Sequence, residues 1–103
     1  MWKNIIIANT WRMRAIGLIG RNGLNIEEGL LIPNCKAVHT CFMRFTIDVI
    51  FLDKDYRVVK IVSKLKPFRF VFGGINVRHT LELSSGTIDR KSVHIGDIIQ
   101  AKI

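Results

Sequence analysis

Apolar positions along the chain come in short runs, with polar residues alternating inside them or closing them. "KNIIIA" is the first such run and predicts a strand. "WRMRAIGLIGR" has another rhythm: Trp11, Ala15 and Leu18 recur at helical spacing. Thr10 can cap that segment through its hydroxyl, and Gly20 can end it because glycine takes the left-handed conformation without penalty. "GLLIPN" returns to a strand, closed by Pro33. "AVHTCFMRFTIDVIFLD" supplies two more, Ala37–Met43 and Asp48–Leu52, joined by "RFT". In "DKDY", Asp53 and Asp55 can bond nearby amides and so mark a turn.

"RVVKIVSKL" alternates, with Val59, Ile61 and Leu65 on one side and Lys60, Lys64 and Lys66 on the other, predicting a half-buried strand with a basic outer face. "KPFRFVFGGINVRH" reads as a loop or irregular strand turning at Gly73-Gly74. "TLELSS" alternates again, with Leu81 and Leu83 inward. "GTIDRKSVHIGD" holds a helical turn and then a glycine turn at Gly96, and "IIQAKI" reads as a final strand. Short strands broken by turn signals, with no repeat or linker, predict a mainly β fold. It forms a single domain over residues 1–103, an antiparallel β-sandwich or barrel with one short N-terminal helix.

Composition changes this picture in one respect. The hydrophobic fraction of 49% is that of a chain with a packed core, and the length suffices to fold without a metal or disulfide. No apolar run is long enough to cross a bilayer, and "MWKNIII" lacks the pattern of a secretory leader. The expected setting is therefore cytoplasmic, with Cys35 and Cys41 as free thiols. The net charge of +8, from sixteen basic against eight acidic residues, is the strong signal, because such a surface attracts anions. An anionic small molecule or an acidic protein fits it, with nucleic acid as the alternative partner.

Candidate chemistry centres on His39, Asp48 and Glu82. On one continuous strand His39, Cys41 and Met43 would share a face, a set suited to copper(I). Further ligands would have to come from His79 and His94, however, and methionine and unpaired cysteine are routine core fillers. The expectation is no metal and no cofactor. His39 either bonds a buried polar partner or acts as acid, base or ligand donor. Asp48 and Glu82 fall in strands, where an unpaired charge is costly, and Arg14, Arg21 and Arg44 are candidate partners. No phosphate loop, dinucleotide fingerprint or nucleophile elbow is present. "KIVSKLKPFRFVF" interleaves basic and aromatic residues as single-strand binders do. Phe68, Phe70 and Phe72 at strand spacing are nonetheless expected in the core.

Several separated motifs, "TWRMRAIGLIGR", "EEGLLI", "VHTCFMRFTIDVIFLD", "RVVKIV", "LELSSG" and "VHIGDII", follow the order seen in the bacterial and archaeal family called domain of unknown function 192, which the chain resembles from Ala8 onward. That family's Arg…Gly-Leu-Met-Gly-Arg pattern falls on Arg14, Gly17, Leu18, Ile19, Gly20 and Arg21. Its His-Thr-Phe-Phe-Met-Arg-Phe-Pro-Ile-Asp motif falls on His39 to Asp48, with Cys41 in place of an aromatic and Thr46 in place of proline. Its Leu-Glu-Leu…Gly falls on Leu81, Glu82, Leu83 and Gly86, and its Gly-Asp on Gly96 and Asp97. The resemblance implies a mostly antiparallel, jelly-roll-like fold and relatives of which many carry export signals. It names no activity.

The sequence thus predicts a small module binding an anionic ligand or partner, with Arg14, Arg21, His39, Thr40, Asp48 and Glu82 as candidate ligand-binding residues. One alternative is a small enzyme using His39 with Asp48 or Glu82 as acid and base. The other is a single-stranded nucleic-acid binder.

Overall fold

The computed structural model describes residues 4–7, 24, 27–41 and 43–99. Among these, seven strands form: β1 (Asn4–Ile7), β2 (Glu28–Pro33), β3 (Ala37–His39), β4 (Ile47–Leu52), β5 (Val58–Leu65), β6 (Phe70–Phe72) and β7 (His79–Ser84). Five make one sheet in the order β1-β2-β7-β4-β5, and β3 and β6 make a separate two-stranded ribbon. β1 and β2 run parallel, while the other pairings are antiparallel. The fold is mainly β, as the strand and turn pattern predicts. One helical turn, Thr87–Arg90, follows β7. The predicted helix after Thr10 lies outside the described residues.

Apolar side chains cover both faces of the large sheet. Leu30, Ile32, Ile47, Val49 and Phe51 gather on one face with Val38, Met43 and Val77. Leu31, Ile50, Leu52, Leu81 and Leu83 gather on the other with Ile88, Val93 and Ile99. This is why "VIFL" in β4 is continuously apolar rather than alternating: every β4 side chain is buried. Val38 of β3 belongs to the first cluster and Val71 of β6 packs against it, so the ribbon lies with its inner side on the large sheet. Gly73, just after β6, sits flat on the Phe51 ring, which a Cβ at that position would penetrate.

Three segments differ from the predicted pattern. The strand beginning at Ala37 stops at His39, because Thr40 turns the chain: its carbonyl accepts from the Met43 amide at 3.2 Å and the Phe68 amide at 3.0 Å. β5 does not alternate regularly, since its register against β4 shifts twice. Val59 and Val62 therefore pack with one core and Ile61 with the other. At the chain's end, Ile98 makes only an isolated bridge to Arg57, and residues 100–103 lie outside the described set.

Candidate functional site

The ribbon's outer side carries the most unusual surface among the described residues. Its register pairs Ala37 with Phe72 and His39 with Phe70. Directly paired residues point the same way, and Val38 and Val71 point inward. Ala37, His39, Phe70 and Phe72 therefore share the outward side. Phe70 is 71% exposed and Phe72 49%, and Phe68, in the preceding turn, is 64% exposed. The expectation that these rings lie in the core is corrected here. A three-residue ribbon laid on a sheet has only one buried side, and Val38 and Val71 already fill it.

Thr40 holds this edge in place. Its hydroxyl donates to the Lys66 carbonyl at 2.7 Å and accepts from the Arg69 amide at 2.9 Å. Its own amide donates to the Arg69 carbonyl at 2.8 Å. Thr40 is fully buried, so its side chain fixes the Lys66–Arg69 turn and presents nothing to solvent. That turn carries Phe68 at a positive φ of 61°.

Beside the ribbon's other end is an open pocket of about 390 Å³, lined by Lys36, Asp53, Lys54, Val59, Ile75, Asn76, Val77 and Arg78. Three cations face one carboxylate in it. That carboxylate is committed locally: Asp53 Oδ1 accepts from the Asp55 and Arg57 amides, each at 2.9 Å, and these bonds, the Arg57 amide foremost, hold it below the ordinary aspartate value. Lys36 Nζ donates to the Ile75 carbonyl and Lys60 Nζ to the Phe72 carbonyl, each at 3.0 Å. An ammonium has three donors, so both keep hydrogens for a ligand. Pocket and ribbon adjoin, since Lys36 precedes Ala37 and its carbonyl accepts the Gly73 amide at 2.7 Å. No Asp or Glu occurs from Gly29 to Ile47 or from Tyr56 to Leu81, the two segments that build the ribbon, and Asp53 is the one carboxylate the pocket adds.

The sequence-predicted residues do not gather here. His39 does, exposed beside Phe70. Arg14 and Arg21 lie outside the described residues. Asp48 and Glu82 are buried on opposite sides of the large sheet, Asp48 paired with Leu83 and Glu82 with Leu30 and Val49. Asp48 Oδ1 accepts from the Lys64 amide and Oδ2 from the Ile88 amide, both at 2.9 Å. Among the described residues, backbone amides rather than an arginine satisfy it. Burial pushes the Glu82 carboxyl up from 4.5 to about 7, and its Oε2 has no hydrogen-bond partner among the described residues. His39 thus meets neither carboxylate.

Because the strand ends at His39, the exposed His39 and the buried Met43 do not share a side, and Cys41 is half-buried in the turn. Among the described residues no three His, Cys, Asp or Glu side chains are grouped to hold a metal, and no helix is long and apolar enough to cross a membrane.

The residues sequence reading passes over are Lys36, Lys54 and Arg78. Each is an ordinary surface cation locally, and they converge only through the fold. For Lys36 and Arg78 the signal available in the sequence was the absence of carboxylates across both segments, whereas Lys54, between Asp53 and Asp55, carries no such signal.

Similar proteins share the fold. A UPF0127 protein of Thermococcus sibiricus is 31% identical over 101 residues, covering 94% of this chain and 65% of that protein. The chain thus spans just under two thirds of that relative's length. A UPF0127 protein of Pyrococcus horikoshii is 36% identical over 97 residues, covering 91% of this chain and 84% of its own. The crystal structure of a protein of unknown function from Novosphingobium aromaticivorans superposes with a TM-score of 0.84 at 24% identity, over 94% of this chain and 74% of that one. That of a protein described as a putative transcription regulator from Sinorhizobium meliloti has a TM-score of 0.84 at 22% identity, over 91% of this chain and 78% of that one. At those identities the two structures speak for the fold alone. The family described as DUF192, Uncharacterized ACR, matches residues 2–101, almost the full length, and the chain belongs to it.

Proposed function

We propose that this chain is a binding module for an anionic ligand, taken up on the outer side of the β3–β6 ribbon and in the adjoining pocket. The observation that carries the reading is the exposed Phe70–His39 pair beside Phe72, on a ribbon whose two segments contain cations and no carboxylate. Lys36, Lys54 and Arg78 supply charge in a concave setting, and Arg78 adds the forked geometry suited to phosphate or carboxylate. Acid–base catalysis has less support, because among the described residues no carboxylate side chain orients His39, and Asp48 is closed off from solvent. A cytoplasmic setting accords with Cys35 and Cys41, both unpaired thiols, the usual state in a reducing compartment.

The test is retention on a heparin column along a salt gradient. The protein should elute late, and the double variant Lys36→Gln/Arg78→Gln should elute at clearly lower salt. Lys91→Gln, beside the helical turn where Lys91 pairs with Glu27 at 3.2 Å, should elute with the parent. Parent and pocket variant eluting together would remove the support for this site.

A further inference from the structure

We infer that the anion taken up on this side is single-stranded nucleic acid, its bases stacked on Phe70 and Phe72 and its phosphates running beside Lys60 toward Lys36 and Arg78. This rests on the anion-binding reading above and names its ligand class. Charge alone would serve any polyanion. The exposed rings are what discriminate, because a base has a flat π-face to lay on them whereas a sulfated sugar or a bare phosphate has none. In a duplex the bases already stack on one another, so their faces are closed to the protein; in a single strand they are open.

The spacing agrees. Paired positions along one side of a strand recur every second residue, roughly 7 Å apart, on the order of the separation between neighbouring bases in an extended single strand. The outward pairs His39–Phe70 and Ala37–Phe72 therefore give successive platforms. They are also held ready: the ribbon's inner side is anchored by Val38 in the core, and the turn before Phe70 is tied to Thr40. Charge lies beside the rings, since the Lys60 ammonium is held on the main-chain carbonyl of Phe72 itself. That suits a strand lying across the ribbon, with bases inward and phosphates flanking.

The experiment measures fluorescence anisotropy of a labelled short oligothymidylate. Competitors are a duplex of equal length, heparin and phosphatidylserine vesicles. Variants are Phe70→Leu/Phe72→Leu and Phe70→Tyr/Phe72→Tyr. Both change exposed side chains, and thermal melts by circular dichroism should show that they remain folded.

The parent should bind the single strand more tightly than the duplex. Its log affinity should fall against log salt with a slope near −2 or steeper, for about three phosphates contacted at roughly −0.7 each. The Leu variant should lose roughly tenfold or more for each ring removed. The Tyr variant should keep its affinity, and heparin retention should be unchanged in both. Oligothymidylate binding that ignores the Leu substitutions overturns the inference, and heparin retention sensitive to Lys36→Gln/Arg78→Gln would leave the broader reading standing. Ring-dependent binding to vesicles in preference to the oligomer overturns it in favour of a lipid surface. Failure to bind any polyanion overturns both.

Discussion

At the scale of single residues, the buried polar side chains act as tethers between segments far apart in sequence. Asp48 collects the amides of Lys64 and Ile88, sixteen and forty residues away. Lys64 sits at φ 54°, where the register against β4 shifts and its amide turns away from the ladder. Asp48 is the acceptor for that displaced donor. Asp48→Ala should therefore orphan two donors and cost roughly 2–6 kcal/mol, at about 1–3 kcal/mol for each unsatisfied group. Asp48→Asn should cost less, because its carbonyl still serves one amide; urea unfolding of both variants checks the order. Thr40→Val is a near-isosteric test of the other tether. It removes the donor to Lys66 and the acceptor for Arg69, and should destabilise by about 1–3 kcal/mol. It should also loosen the Phe68–Phe70 segment, seen as faster amide exchange at Arg69. Asp48's burial was legible from its place inside an apolar strand. Thr40's role was not, because its partners lie some 26 and 29 residues on and nothing local marks a hydroxyl as an anchor.

Among the elements, what was legible depended on whether a segment's surroundings could be inferred from its own pattern. β2 and β4 stand out as apolar runs because both sides of the central sheet are covered, β7 stands out by its alternation, and the bounds of all three in the sequence are close to those observed. β5 alternates on paper, but its two register shifts move side chains between sides, and a one-residue slip is enough to reverse an assignment. The ribbon was misread for a related reason. Phe70 and Phe72 look like core residues by type and spacing, and only the third dimension shows that Val38 and Val71 already occupy the inner side. The candidate site was thus half visible: its charge and aromatics could be read, and its outward orientation could not. The join between ribbon and sheet offers a test. Gly73 lies so close to Phe51 that an added Cβ would overlap the ring. Gly73→Ala should force a shift costing about 1–3 kcal/mol by overpacking. Gly74→Ala meets no atom but stands at φ 124°, so its cost is backbone strain at that residue. Thermal melts should show both losses. Only Gly73→Ala should perturb the Phe51 ring signals in NMR spectra, because only it touches the core.

For the whole molecule, charge is distributed unevenly in depth as well as across the surface. Six of the eight carboxylates are exposed or half-buried, the cations dominate the ribbon side, and Asp48 and Glu82 are buried in the central sheet, Glu82 between Leu30 and Val49. Its carboxyl is pushed up from 4.5 to about 7 by burial, which makes global stability depend on pH in a definite direction. In the unfolded chain Glu82 loses its proton near its ordinary value, whereas in the folded chain it keeps the proton until about pH 7. Between those limits the folded state binds more protons, so stability falls as pH rises and levels off above the folded value. A shift of this size, at about 1.4 kcal/mol per unit, corresponds to a loss on the order of 3 kcal/mol. Glu82→Gln stays neutral throughout and should remove this contribution, leaving the remaining groups to set a flatter profile. Chemical denaturation from about pH 5 to about pH 8 compares the two proteins. The difference in unfolding free energy, variant minus parent, should grow with pH and reach a plateau near neutrality. A difference that stays constant across that range would show that Glu82 is ionised in the folded protein, with its charge met by a partner outside the described residues.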